Sequence, residues 1–368
     1  MNRAYRFRIY PDKEQQGLLA RTFGSCRFIY NQMLSDKIAA YEKDKKMLLT
    51  TPAMYKGRFP WLKEVDSLAL ANVQLHLEKA YKNFFKNPKS GYPKYKSKHT
   101  SRKSYTTNLV NGNIVINKGK IKLPKLGSIR MKQHRKIPAD YRLKSVTVSQ
   151  EPSGKYYASI LFLCENQAEK HVGTDKVLGI DFALYGMAVF SDGSKAEYPM
   201  FYKTAQKKLA REQRALSRCV RGSSNYRKQK LKVAKCHEKI RNQRKDFQHK
   251  LSCGIADTYD AVSVETLDMK EMSRAHHFGK GVMDNGYGMF QQMLEYKLTE
   301  KGKKLIYVDR FFPSSKTCSV CGRVKKELLL SERTYRCVCG NHMDRDVNAA
   351  INIREEGIRI LSESKECA

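Results

Sequence analysis

A chain of 368 residues, 41% of them hydrophobic, is long enough for two or three modules and too apolar to stay disordered. Its 71 Lys and Arg outnumber 36 Asp and Glu, leaving a formal charge of +35. Self-repulsion on that scale opposes folding unless a polyanion shares the surface, which favours nucleic acid over a merely basic exterior.

The opening Met1-Asn2-Arg3-Ala4-Tyr5-Arg6 leads into alternating residues, so no secretory leader is expected. The longest apolar runs, such as Ile160 to Cys164, fall far short of the ~20 residues that span a bilayer, and no membrane partner is expected either. Tyr5, Phe7 and Ile9 alternate with Arg6 and Arg8, which predicts a half-buried strand. Pro11-Asp12 ends it, and Asp12 with Gln15 three residues on predicts an N-capped helix that continues through Phe28, Ile29, Met33 and Leu34. A second helix is expected from roughly Ser67 to Phe85, closing in Tyr81-Lys82-Asn83-Phe84-Phe85. Gly91-Tyr92-Pro93-Lys94-Tyr95-Lys96-Ser97 mixes basic and aromatic side chains, a texture suited to phosphate contact and base stacking. Short strands follow, punctuated by Asn111-Gly112 and Lys118-Gly119. This pattern predicts a β module from about 100 to 165, joined by the first strand and interrupted by a helical insertion over 12–90. A new unit is expected near His171, with a strand at Val177 to Asp181 and a return through Met187 to Phe190. Residues 203–250 predict a long basic helical region broken at Gly222-Ser223-Ser224, in which only Glu212, Glu238 and Asp246 oppose the Lys and Arg.

Three carboxylates stand at the ends of predicted elements. Asp181 closes the apolar run Leu178-Gly179-Ile180, Glu265 closes Ala261-Val262-Ser263-Val264, and Asp346 lies in the first turn of the helix opened by Asp344-Arg345. Each alone reads as readily as a turn or cap residue. Together they form a set suited to cutting phosphodiester bonds. Two Mg²⁺ ions take oxygen ligands, one to activate water and one to stabilise the leaving oxygen.

Of the ten cysteines, Cys26, Cys164, Cys219, Cys236, Cys253 and Cys367 are scattered, while four fall between Cys318 and Cys339. Cys318-Ser319-Val320-Cys321 and Cys337-Val338-Cys339 predict a closed, structural Zn²⁺ site rather than disulfides. The second pair has one intervening residue instead of two, and His342 just beyond it is a competing ligand.

In these stretches the chain resembles the TnpB family of transposon-associated nucleases, relatives of the type V CRISPR effectors. The resemblance runs almost end to end. It includes the opening strand, Tyr81 to Phe85, Gly91 to Ser97, Ser104-Tyr105, Asp246-Phe247-Gln248-His249-Lys250-Leu251-Ser252, and Pro313-Ser314-Ser315-Lys316-Thr317-Cys318. Most specific is a cysteine ribbon set directly before Asp-Arg-Asp-Val-Asn-Ala-Ala-Ile-Asn-Ile at 344–353. Two departures stand out: Asp181-Phe182-Ala183 where many relatives have Asp-Leu-Gly, and the compressed cysteine pair.

The resemblance implies an α/β RNase H-like RuvC nuclease domain over 171–314 and 341–368, with an inserted zinc ribbon over 315–340. It further implies an all-β, wedge-like barrel over 1–11 and 91–170, with a helical recognition insertion over 12–90. Asp181, Glu265 and Asp346 would be the catalytic, Mg²⁺-binding acids, with Asp344 and Asp268 as competing neighbours, and Cys318, Cys321, Cys337 and Cys339 the zinc ligands. Asn111, Lys96, Tyr95 and Tyr105 are candidate nucleic-acid contacts; Asn111 stands where the family places a motif-reading asparagine, although Asn-Gly is itself a turn signal. The implied partners are a guide RNA from the transposon end and double-stranded target DNA beside a short flanking motif. The protein is expected to act as a monomer in its RNA complex, in a prokaryotic cytoplasm. The rivals are a nuclease-inactive RNA-guided repressor, an unguided accessory DNA-binding protein of a transposase, and a joining transposase. A joining transposase would need its acids in the order Asp, Asp, Glu instead of Asp, Glu, Asp.

Overall fold

The alternation of the first residues becomes strand β1 (Asn2–Tyr10), with Phe7 and Ile9 buried and Tyr5 partly so. The arginines opposite are not simply solvated. Arg6 pairs with Glu151, and its guanidinium lies 4.0 Å from the Tyr157 ring centroid. The computed structural model of the protein describes residues 2–165, 175–268, 271, 279–329 and 331–366. The expected boundary at His171, and Cys367, lie outside them.

The chain divides into two compact units, Met1–Glu165 and Asn166–Ala368. In the first, helix α1 (Lys13–Asp44) starts at the expected capping box: Asp12 Oδ1 accepts from Gln15 N at 2.8 Å, and Gln15 Oε1 accepts from Asp12 N at 3.1 Å. Helix α2 (Ser67–Lys86) is capped by Asp66, which accepts from Leu68 N at 2.9 Å. Leu19, Phe23, Ile29, Met33 and Leu34 of α1 share one core with Leu70, Val73 and Leu77 of α2. That spacing of three and four is one helical face. The strands β2 (Lys103–Asn108), β3 (Val115–Asn117), β4 (Lys120–Leu123), β5 (Gly127–Lys132), β6 (Arg142–Gln150) and β7 (Tyr156–Leu163) complete the unit. They form an antiparallel sheet in the order β2-β6-β7-β1-β5-β4-β3, so the first strand sits inside a sheet whose other members lie about a hundred residues on.

The second unit is built on a four-stranded sheet. Strand β8 (Val177–Ala183) pairs antiparallel with β9 (Met187–Phe190). It pairs parallel with β10 (Ala261–Glu265), and β10 pairs parallel with β11 (Lys304–Val308). Strands β8 and β10 are apolar on both faces, as expected of parallel strands covered on both sides. Between β9 and β10 run helices α3 (Phe201–Ser217) and α4 (Ser224–Thr258), packed together as a hairpin. Helices α5 (Gly279–Asn285) and α6 (Tyr287–Glu300) precede β11. Two short strands, β12 (Thr334–Arg336) and β13 (His342–Asp344), form an antiparallel pair just before the final helix α7 (Arg345–Glu366).

Two glycines set how close α7 lies to the sheet. A Cβ on Gly179 of β8 would stand 2.0 Å from Ala350 O, and one on Gly357 of α7 would stand 1.7 Å from Ser263 Oγ of β10. With no side chain at either point, α7 crosses β8 and β10 nearly backbone to backbone, and this fixes where its first turn ends up. No helix among the described residues is long and apolar enough to cross a membrane.

Candidate functional site

The parallel register aligns Val264 with Ile180, so the next residues, Glu265 and Asp181, leave neighbouring strands side by side. Such strands lie about 4.8 Å apart. Asp346, in the first turn of α7, is the third acid near them. Burial, then the negative charges of Glu265 and Asp346, push the Asp181 carboxyl well above its ordinary range, with Arg345 opposing. Burial pushes Glu265 up to about 7, although its Oε1 accepts a 3.1 Å hydrogen bond from Phe182 N. Asp181, Glu265 and Asp346 thus come from three separate elements, with Glu265 and Asp346 near enough for their charges to act on Asp181. Three half-buried carboxylates repelling one another are a donor set suited to a hard divalent cation with oxygen ligands.

The competing acids are committed elsewhere. Asp344 Oδ1 caps α7, accepting from Asp346 N at 2.9 Å, and its Oδ2 pairs with Lys195 Nζ at 2.9 Å. Burial would raise the Asp344 carboxyl, but Lys195 and the helix N–H groups outweigh it and hold it below its ordinary value. Asp268 accepts from Glu271 N at 3.0 Å and faces Arg310 at 3.8 Å.

Cys318, Cys321, Cys337 and Cys339 cluster with all four sulfurs within 4.8 Å of one another, and they are a group that could hold a metal ion. Cys318 and Cys339 Sγ are 3.7 Å apart, and Cys321 and Cys337 Sγ are 3.6 Å apart. Tetrahedral zinc with Zn–S of ~2.3 Å puts its sulfurs about 3.8 Å apart, so the pocket fits the ion. The compressed pair closes as well as the longer one: Gly340 N bonds Cys337 O at 3.0 Å, as Gly322 N bonds Cys318 O at 2.9 Å. His342 is on β13, outside the cluster. Burial pushes the Cys318 thiol up, but hydrogen bonds from the Cys321 and Val320 backbone and from Asn341 Nδ2 outweigh it, leaving the thiol at about 6. One of the four thiols is thus readily ionised.

Sequence reasoning missed what joins this ribbon to the acids. Asn348 and Asn352, one helical turn apart on α7, are both buried. Asn348 Nδ2 donates to Thr317 O at 2.7 Å, while its Oδ1 accepts from Ser319 N at 3.0 Å. Asn352 Nδ2 donates to Ser314 O and Thr317 O at 2.8 and 2.7 Å. Two asparagines spaced by four in the otherwise apolar stretch from Val347 to Ile353 were the available signal, because buried amides need partners.

Comparison with known proteins places these features in a family. A model described as a probable transposase matches residues 146–276, and one described as a Cas12f1-like TNB domain matches 287–353. A protein of Streptomyces pristinaespiralis, whose name designates an RNA-guided DNA endonuclease, is 33% identical over 97% of this chain and 90% of its own length. The chain belongs to the TnpB family. An Escherichia coli relative of the same designation is 31% identical over 98% of the chain and 93% of its own length. The cryo-EM structure of a Cas12f1–sgRNA–target DNA complex superposes with a TM-score of 0.58 at 15% identity, covering 96% of this chain and 98% of that one, so the fold is Cas12f1-like. A helix-turn-helix model also matches residues 1–46 of this TnpB chain, yet these residues form strand β1 and one continuous helix.

The remaining expected contacts of this TnpB protein divide. Tyr95 is exposed, with its ring open to solvent. Lys96 is half-buried. Asn31 bonds both its backbone N and O at 2.7 and 2.9 Å, and its Nζ lies 3.8 Å from the Tyr30 ring centroid. Tyr105 is corrected: it is a core residue of β2, 4% exposed and packed 6.0 Å from Phe23, so its ring cannot stack on a base. Tyr105 and Lys96 instead line a recess of about 180 Å³ with Arg27, His76 and Arg102. Asn111 takes a left-handed backbone (φ 49°) at an exposed turn after β2, the conformation its Asn-Gly pairing anticipates. On the helical hairpin, Glu212 is used internally, its Oε2 accepting from Gln229 Nε2 at 2.7 Å, while Lys207, Lys208, Arg214, Arg227, Lys228 and Lys239 are exposed.

Proposed function

We propose that this chain is an RNA-guided DNA endonuclease that hydrolyses phosphodiester bonds at a RuvC-like site formed by Asp181, Glu265 and Asp346. The observation that carries this reading is the convergence of the three acids, together with the upward displacement of Asp181 by burial and by the charges of Glu265 and Asp346, and of Glu265 by burial. Two Mg²⁺ ions bound there would supply an activated water and stabilise the leaving oxygen. The chain's own part is to hold three oxygen donors on two strand ends and a helix start, and to keep Asp344 occupied as a cap.

In this reading the second unit is an RNase H-like nuclease domain, and Cys318, Cys321, Cys337 and Cys339 hold a structural zinc. The seven-stranded sheet of the first unit is the wedge-like barrel, with α1 and α2 as its recognition insertion. The partners are a guide RNA from the transposon end and a double-stranded DNA target, the two nucleic acids that its relatives' names and the Cas12f1 complex point to. Base pairing then carries specificity, while the protein grips backbone and shape. The exposed Lys and Arg of the α3–α4 hairpin and the basic recess at Arg27, His76 and Arg102 support that role, as does the charge of +35. Tyr95 and Asn111 remain candidates for base contacts, and Asn111 for reading the flanking motif.

Sequencing the RNA that co-purifies with the protein tests the guide. A defined structured RNA with one variable end is expected, and random cellular RNA would overturn the reading. Asp181→Ala is expected to abolish Mg²⁺-dependent cutting of a matched target while guide and target binding persist; undiminished cutting would remove the assigned site.

A further inference from the structure

The backbone just beyond Asp181 is gripped by side chains from another part of the chain. Tyr287, 1% exposed at the start of α6, donates its hydroxyl to Ala183 O at 2.7 Å. Asn285, fully buried at the end of α5, gives its Nδ2 to Leu184 O at 2.9 Å and to the Tyr287 hydroxyl at 2.7 Å. Gln248 of α4, also fully buried, donates its Nε2 to Asn285 O at 2.6 Å and reaches Gly286 O at 3.2 Å. The Tyr287 ring packs 5.1 Å from Phe182, the residue whose N–H bonds Glu265. Asn285 spends its donors on carbonyls and the Tyr287 hydroxyl, and Gln248 spends its own on carbonyls. Asn285 Oδ1 and Gln248 Oε1 are left buried without a partner, an arrangement that costs stability at each group. Packing alone gives no reason to retain two such costly groups in one place. Precise placement of the Ala183–Leu184 main chain does.

We propose that Tyr287 and Asn285, braced by Gln248, are positioning residues that clamp the turn after β8 and hold Asp181 and Glu265 at the spacing a divalent cation requires. This rests on the reading of Asp181, Glu265 and Asp346 as a metal site. The clamp also accounts for Ala183: its carbonyl is the acceptor of both Tyr287 and Asn285, so the turn needs its backbone and not a particular side chain. Groups that orient metal ligands without touching the ion typically change metal affinity by about 10–100-fold when removed.

The test is a titration of the full-length protein with Mn²⁺ alone, read by thermal shift, for the parent, Asp181→Ala, Tyr287→Phe and Gln248→Met. Tyr287→Phe keeps the ring and removes only the hydroxyl. The clamp predicts that the parent is stabilised by Mn²⁺, that Asp181→Ala loses the response, and that Tyr287→Phe needs at least about tenfold more Mn²⁺ for half the shift. Gln248→Met should move the midpoint in the same direction with a smaller effect. A purely structural tyrosine would lower the starting melting temperature and leave the Mn²⁺ midpoint where it was, and that result overturns the clamp. If Asp181→Ala responds to Mn²⁺ like the parent, the metal-site reading itself fails. Should Tyr287→Phe not fold, the Gln248→Met midpoint decides alone: unchanged, it overturns the clamp.

Discussion

Gly357 and Ser263 touch so closely that a methyl on the glycine would lie 1.7 Å from the serine Oγ and 2.6 Å from its Cβ. The hydroxyl can rotate away, but the Cβ cannot, so any side chain at 357 must lift α7 from β10. Gly357→Ala gains up to ~1 kcal/mol of helix propensity. Overpacking of this severity costs about 1–3 kcal/mol or more. Because α7 carries Asp346, the expected outcome is a lower melting temperature together with weaker Mg²⁺-dependent cutting, measured on the same preparation. A variant as stable and as active as the parent would contradict the close approach.

Glu265 gives a pH signature in the metal-free protein. Its folded carboxyl titrates near 7, against an ordinary value of 4.5. Between these values the folded state keeps a proton that the unfolded chain has released. The contribution is therefore fully present below about 4.5 and is lost as pH rises through about 7, and Asp181 shifts in the same direction. Without divalent ions the melting temperature should fall by a few degrees over that window. Glu265→Gln, which can still accept from Phe182 N, should show a shallower fall. Parallel melting curves at pH 5 and 8 check this, and equal slopes for parent and variant would count against it.

Asp344 and Asp346 are two residues apart and should behave oppositely. Asp344→Asn keeps a helix cap and loses only the exposed pair with Lys195, worth up to ~1 kcal/mol. Cleavage by Asp344→Asn should stay near the parent's, while Asp346→Asn should fall to background. A cleavage assay on matched DNA compares them directly, and the reverse ranking would exchange their roles.

Cys318→Ser removes one sulfur from the cluster. The zinc-to-protein ratio, measured by elemental analysis, should drop well below the value of about one expected for a single tetrahedral site. Since Asn348 and Asn352 bind Ser314, Thr317 and Ser319, loosening the ribbon should also slow cleavage. An unchanged metal content would argue against the four-cysteine site.

Local chemistry made much of this protein legible. Asp12 and Gln15 announced the start of α1, the apolar runs ending in Asp181 and Glu265 announced buried strands, and the paired cysteines announced their cluster. These signals depend on neighbours in sequence, through capping, periodicity and ligand spacing. Tyr105, a candidate nucleic-acid contact in the sequence, is turned inward against Phe23 by the alternation of β2, a placement that only the packed sheet reveals.

The amino-acid sequence by itself determined which residue types could bind metal and polyanion, because charge, donor chemistry and local periodicity are written in its order. Only the tertiary structure decided that Asp344 caps α7 and that Asp346 comes near enough to Asp181 for its charge to act there. It also decided that Asn348 and Asn352 fasten the ribbon, and that Tyr287 reaches back to Ala183. Those assignments depend on hydrogen-bond geometry between segments up to about a hundred residues apart. That geometry exists only once α7 has settled onto the sheet through the close approaches at Gly179 and Gly357.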